Sequence, residues 1–313
     1  MTIASAPGKL ILAGEYAVLD GAPALVVAVD RRVVARGGRA TGTSPFLIAV
    51  ADELAARLGA DHPAARAALA IAVDSSACYE GVQKLGLGSS AAVTVAATAL
   101  ALGSTDDRAA LFEIAAAAHA RAQRARGTPG SGADIAAAVY GGVISYASRH
   151  VAPLVWPAGV ALVPFFTGVS AETVELVGRV AAARAANATA VDAALRAITS
   201  ASSLAVLACN RARVPENAAT GLLAALALAA TAVDQLAVAS RVPLVPACVS
   251  DARAALAPLG GTAKTTGAGG GDVAIAVVPA HVDRIAIERR IADAGGHVLA
   301  LAIDPRGAAL EAS

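Results

Sequence analysis

Short apolar runs bounded by glycine or proline alternate along this chain with longer stretches of helical spacing. Residues 9–13 (KLILA) and 24–29 (ALVVAV) are short runs of this kind and predict strands. Residues 46–58 (FLIAVADELAARL) repeat their apolar positions every three or four residues and stop at Gly59, which predicts a helix. Residues 69–74 predict a further strand. The segment KLGLGSSAAVTVAATALAL (84–102) then opens as a glycine loop and runs on as an alanine-rich helix that its serines can cap. A helix follows over 106–124, with Asp106 and Asp107 at its positive end. After a second glycine loop, residues 135–146 read as a short helix and a strand.

Pro153 and Pro157 interrupt the pattern over 150–160, and the domain boundary is placed there, dividing the chain into residues 1–155 and 156–313. Beyond it, 160–166 reads as a strand, 170–186, 189–209 and 216–239 as long helices, and 248–257 as one more. A third glycine loop, KTTGAGGGD (264–272), leads into a strand at 273–278. A helix over 281–293 and a strand over 297–302 close the pattern.

The chain is 57% hydrophobic and 16% charged, so a membrane protein has to be considered. The uncharged stretch from Leu85 to Thr105 is long enough to span a bilayer. It opens with Gly86, Gly88, Ser89 and Ser90 and has no aromatic anchor, so a buried helix explains it better. A cytoplasmic protein is expected, with no membrane partner. A net charge of +1 gives no basic patch for nucleic acid. Cys78, Cys209 and Cys248 have no metal-ligand spacing and read as buried small apolar residues. The cations are lopsided: of 25 Lys+Arg only three are lysine, Lys9, Lys84 and Lys264.

Each lysine stands beside a glycine-rich segment. The central loop, Gly86-Leu87-Gly88-Ser89-Ser90-Ala91-Ala92, lets backbone approach a ligand and offers free amides at a helix start, the makings of an anion site. It is not a G-x-x-x-x-G-K-[ST] loop. The late loop packs Gly267, Gly269, Gly270 and Gly271 into five positions. The first segment, Ala6-Pro7-Gly8-Lys9-Leu10, sets a lysine on a strand and is followed by Gly14-Glu15-Tyr16. Gly130-Ser131-Gly132-Ala133-Asp134 presents a carboxylate just before a helix, suited to capping or, in a phosphate-rich cleft, to metal or proton work. Gln123 reads as a surface residue, His119 as a partly buried core residue, and Glu15 either orients Lys9 or faces solvent.

These four stretches, in this order, resemble the GHMP kinase superfamily. The resemblance implies a two-domain α/β fold, with an N-terminal domain of the ribosomal-protein S5 type, a ferredoxin-like C-terminal domain and ATP in the cleft between them. Within the superfamily, Lys84 at the head of the second motif, Gly130-Ser131-Gly132-x-Asp134 and Phe166-Thr167-Gly168 resemble phosphomevalonate kinases, which act on a phosphate acceptor. Mevalonate kinases come next, then homoserine and other small-alcohol kinases. Arg126, Thr128 and Ala133 depart from the phosphomevalonate kinase pattern. A non-catalytic ATP and metabolite sensor is the rival from another class, but it would not need Asp134.

The resemblance implies ATP phosphates on residues 86–92 and Mg²⁺ held through Ser89 or Ser90. Lys9 and Asp134 are implied as the catalytic pair. Lys84, Arg126, Ser131, Gly132, Lys264, Gly267, Gly269 and Gly270 are implied around the acceptor. A monomer or homodimer with a small-molecule substrate is expected.

Overall fold

The computed structural model describes residues 2–38, 44–125, 127, 130–211 and 217–312. Arg126 and Thr128 lie outside the described residues. In chain order the first half holds strands β1 (Thr2–Ala13) and β2 (Ala24–Gly37), helices α1 (Pro45–Leu58) and α2 (Pro63–Ala68), and strand β3 (Ile71–Asp74). A small hairpin of β4 (Tyr79–Glu80) and β5 (Gln83–Lys84) precedes α3 (Ser89–Leu102), α4 (Arg108–Arg124), α5 (Ala133–Tyr140), β6 (Val143–Ala147) and β7 (His150–Leu154). The second half holds β8 (Val160–Phe166), α6 (Thr173–Ala186), α7 (Ala188–Arg211), α8 (Ala218–Ser240), α9 (Ala247–Leu256), β9 (Thr262–Thr265), β10 (Val273–Pro279), α10 (Arg284–Asp293), β11 (His297–Val298) and β12 (Ala309–Ala312).

The strands form two main sheets. The first runs β12-β1-β2-β6-β7, with β3 on the far end of β2, and the second runs β11-β8-β10-β9. Pairing is antiparallel throughout both. Three sequence expectations change. Residues 150–154 form β7 despite Pro153, because β7 is an outer strand and a missing N–H on its free edge breaks no ladder. The strand expected over 297–302 is confined to 297–298, since Ala302 and Ile303 leave the second sheet to bond Asp30 and Val29 of the first. The chain end then returns as β12 against Thr2–Ser5, held by Arg32, which reaches Asp304 Oδ2 at 2.6 Å and Gly307 O at 2.8 Å.

Helix α3 is the axis of the first half. Ten of its fourteen residues are buried, mostly alanine and valine, and small side chains let it lie close to β1, β2, α4 and α5 at once. Its polar interior is satisfied internally: Thr94 and Thr98 hydroxyls donate to the carbonyls of Ser90 and Thr94 at 2.9 and 2.7 Å. The segment weighed as a membrane span is therefore core. Helices α7 and α8 are long and apolar enough to cross a membrane by length and composition alone, and they pack against each other. Cys78 and Cys209 are buried as expected, whereas Cys248 is half-buried and its thiol donates to Thr167 O at 3.3 Å.

One apolar cluster joins the halves. Leu10, Leu12 and Leu25 of the first sheet meet Ala205 of α7, Leu222 of α8 and Ile275 of β10. β1 therefore has no solvated face, and its pattern is a near-continuous buried run. The polar groups that follow the apolar part of β1 are set against the second half with little freedom to move.

Candidate active site

Lys9 enters the site because β1 runs directly under the central glycine loop. The Lys9 amide donates to Leu87 O at 2.8 Å, and Gly8 permits the approach: a Cβ there would stand 3.1 Å from Leu87 O and 3.2 Å from Arg31 O. The Lys9 ammonium reaches Gly86 O at 3.4 Å. Burial holds its pKa below the ordinary lysine value, while the carboxylates of Asp134 and Asp272 act in the opposite sense. Gly88, at φ +74°, caps α3 and passes beneath the lysine stem, so that any Cβ there would lie 2.9 Å from Lys9 Cε.

Ser89 and Ser90 open α3, so their amides have no carbonyl one turn back within the helix. The Ser90 hydroxyl lies 3.2 Å from Nε2 of His119, which is buried and stacked on Phe46. His119 is thus a core residue as expected, yet it also sets the orientation of a loop hydroxyl. The amides of Ala91 and Ala92 donate to Gly88 O at 3.0 and 3.2 Å and are spent inside the helix. Leu87 is buried in the core between the halves. The open backbone and free amides of this loop are therefore those of Gly86, Gly88, Ser89 and Ser90.

Asp134 is the second residue of α5, and its Oδ1 accepts from the Ile135 amide at 2.9 Å. Ser131 Oγ accepts from the Ala133 amide at 3.2 Å, and Gly132, at φ +87°, makes the turn that aims the helix. Across the site stands Asp272, at the end of the late glycine loop and at φ +54°. Its amide donates to Val169 O at 2.7 Å, and its Oδ1 accepts from the Ala171 amide at 3.3 Å. Burial raises its carboxyl pKa, opposed by the Ala171 bond and then by Lys84 and Lys9. The Gly86 α-carbon lies directly against this carboxylate.

Two adjoining cavities share this wall. The first is bounded by Gly86, Gly88, Ser89, Ser90 and Lys84. The second is bounded by Ser131, Gly267, Gly269 and Glu15, with an apolar side of Ile11, Val18, Leu19 and Val177. Lys9, Asp134, Gln123 and Asp272 line both. Lys84 therefore stands on the phosphate-loop side, where the sequence had set it beside the acceptor. Gln123 faces the cavities and is not a surface residue. Asp272 was missed, although its place directly after four glycines was the available signal.

Three expected acceptor residues line neither cavity. Gly270 turns its amide to Leu244 O at 2.7 Å and packs on Leu176. Lys264 is 1% exposed on β9, where it forms an ion pair with Glu15. Sheet pairing directs its side chain inward to a partner 249 residues away. Glu15 consequently neither orients Lys9 nor faces solvent. Gly132 lines neither cavity and acts through the turn it makes.

Among the described residues no group of three or more His, Cys, Asp or Glu is placed to cage a metal. The donors at the loop are instead two hydroxyls, Ser89 and Ser90, with the Asp134 and Asp272 carboxylates on the same cavity. That set fits a hard cation brought in on phosphate oxygens, such as Mg²⁺, which keeps waters and takes few protein ligands.

A glycine loop at a helix start, a lysine across it and a carboxylate between two cavities make an arrangement suited to phosphate groups. Residues 46–142 match the family described as GHMP kinases N terminal domain. A phosphomevalonate kinase from Streptomyces sp. (strain CL190) is 37% identical over 186 residues, covering 45% of this chain and 48% of that protein, so the match spans about half the relative's length. Among solved structures, the Lin0012 protein from Listeria innocua superposes with a TM-score of 0.82 at 20% identity, over 100% of this chain and 99% of that one. Streptococcus pneumoniae phosphomevalonate kinase, in complex with phosphomevalonate and AMPPNP, superposes with a TM-score of 0.78 at 19% identity, over 96% and 99%. Along its length this chain has the two-domain α/β fold of those structures.

Proposed function

We propose that this protein is an ATP-dependent kinase that transfers the γ-phosphoryl group of ATP to 5-phosphomevalonate, giving 5-diphosphomevalonate in the cytoplasm. The carrying observation is that a phosphate-loop cavity and a second, half-apolar cavity share Lys9 and Asp134 as a common wall. A phosphoryl group passing from one cavity to the other crosses between those two side chains. The identity to a phosphomevalonate kinase favours a phosphorylated acceptor over an alcohol.

Phosphoryl transfer is mainly positioning and electrostatics. The free amides of Ser89 and Ser90, with the open backbone of Gly86 and Gly88, hold the nucleotide phosphates. Mg²⁺ carried by ATP would be held by Ser89 and Ser90, with Asp272 and Asp134 on the same wall, and would neutralise phosphate charge. Lys9 offsets the charge that spreads over the transferred group, with Lys84 adding a second cation where two polyanions meet. A phosphate monoester has a second pKa of about 6 and is mostly dianionic at neutral pH, so its oxygen attacks without a base. As the new P–O bond forms, the bond to ADP breaks and ADP leaves with the electron pair. Asp134 accordingly orients the acceptor and pairs with Lys9; with a hydroxyl acceptor it would also have to take the proton. Ser131, Gly267 and Gly269 line the acceptor's side.

ADP release measured over 5-phosphomevalonate, mevalonate, homoserine and galactose tests the assignment. Preferred turnover of 5-phosphomevalonate is expected. Equal turnover of mevalonate refutes the phosphate acceptor, and turnover of none of the four refutes the kinase.

A further inference from the structure

The buried ion pair beneath the second cavity has no part in the transfer just described. Glu15 follows β1 in the first half, and Lys264 lies on β9 of the second. Both side chains are 1% exposed. The Lys264 ammonium donates to Glu15 Oε1 and, at 2.6 Å, to Thr265 O. Glu15 Oε2, in contrast, has no hydrogen-bond partner, and among the described residues it is the one buried side-chain polar atom so placed. Yet Glu15 forms part of the cavity wall. Its neighbour Tyr16 offers nothing, since the phenol donates to Ala268 O at 2.6 Å, and burial together with the Glu15 charge keeps that phenol protonated.

An acceptor oxygen left unpaired in a buried carboxylate is costly, and such a group in a folded protein calls for a cause. A ligand donor would satisfy it. The terminal torsion of a glutamate is broad and two-fold, so rotation about it can turn Oε2 towards the cavity that Glu15 already lines. Phosphate and carboxylate groups cannot be that donor: they are acceptors and carry the charge of Glu15 itself. A hydroxyl can. The cavity is ordered to match, with one cation, Lys9, and apolar walls from Ile11, Leu19 and Val177.

We propose that the Glu15–Lys264 pair reads a hydroxyl on the acceptor, Glu15 receiving its hydrogen bond and Lys264 acting as the positioning residue. On 5-phosphomevalonate this sets the acceptor's phosphate at Lys9 and its tertiary hydroxyl at Glu15. This rests on the kinase reading above and specifies its acceptor side.

The test compares 5-phosphomevalonate with its analogue lacking the tertiary hydroxyl, in the wild-type protein, in Lys264→Met and in the double variant Glu15→Leu/Lys264→Met. Replacing both members of a buried ion pair by apolar residues of similar volume is often neutral for folding, which keeps the double variant usable. In the wild type, loss of the hydroxyl should lower kcat/KM about 10- to 100-fold. In the double variant that ratio should collapse towards one, through a higher KM for the natural acceptor, with the KM for ATP and the melting temperature little changed. Lys264→Met should raise the acceptor KM and leave kcat largely intact. An undiminished ratio in a folded double variant, or no discrimination by the wild type, overturns the inference and leaves the kinase reading standing. Failure of the wild type to turn over 5-phosphomevalonate at all overturns both.

Discussion

Gly88→Ala separates two roles of one glycine, because Gly103 at the other end of the same helix supplies the control. Both residues cap α3 in the left-handed region, at φ +74° and +68°. An alanine at either position costs about 1–2 kcal/mol of backbone strain. In a chain of this size that lowers the melting temperature by roughly 1.5–3 °C. The surroundings differ. A Cβ at 103 meets nothing within 4 Å, whereas one at 88 lies 2.9 Å from Lys9 Cε and 3.2 Å from Lys9 Cγ. Carbon atoms rest about 3.5–4.0 Å apart, so the lysine stem must move by roughly 0.5–1 Å. A displacement of about 1 Å at a reacting group can cost roughly 100-fold in rate, equivalent to about 2.7 kcal/mol of barrier. Thermal melts and kcat from ADP release at saturating ATP and acceptor measure the two effects independently. Gly103→Ala should lose stability alone, and Gly88→Ala should lose stability and most of its kcat. A Gly88→Ala protein with wild-type kcat and the melting temperature of Gly103→Ala would refute the reasoning that this glycine keeps Lys9 in place.

Further outcomes follow from the same wall of residues. Asp134→Asn should lower kcat by about 10²–10³-fold at unchanged melting temperature, as measured by ADP release. Lys9→Arg should also be damaging, by at least about 10-fold, since a planar guanidinium cannot occupy the narrow space above Gly88. Because burial lowers the Lys9 pKa, its charge is present below that pKa and lost as pH rises through it. The alkaline limb of kcat/KM should therefore fall below the ordinary lysine range, and the residual activity of Lys9→Arg should lack it. Asp272 has a raised pKa, so its charged form opposes folding above the ordinary aspartate range and has no effect below it. Asp272→Asn, which keeps an oxygen for the Ala171 amide and tolerates φ +54°, should raise the melting temperature at pH 7. That gain should shrink towards pH 4, and a lower melting temperature at pH 7 would contradict it.

The local signals in this chain were read correctly where one segment decides the outcome. Gly86 and Gly88 mark left-handed backbone that leads into a helix, and Asp107, whose side chain accepts from the Ala110 amide at 2.9 Å, starts another. Proline at 153 was misread because its effect depends on whether the strand is an edge, which is a property of the sheet. That the Ala91 and Ala92 amides bond Gly88 O could not be read from motif spacing, which does not show which amides the helix itself consumes.

The three lysines show where sequence and tertiary structure part. Sequence alone determined that each stands by a glycine-rich segment and that Lys9 lies on a strand entering a phosphate loop, since neighbours along the chain fix both. It could not assign their separate work. Lys9 became the wall between two cavities only when β1 passed under residues 86–88. Lys84 fell on the phosphate side because a two-strand hairpin carries it there. Lys264 was withdrawn from the cavity altogether, because β9 turns it inward to a carboxylate from the opposite end of the chain. A cation's role depends on the charges that face it, and those are brought together by sheet pairing and packing over hundreds of residues, which no local pattern records.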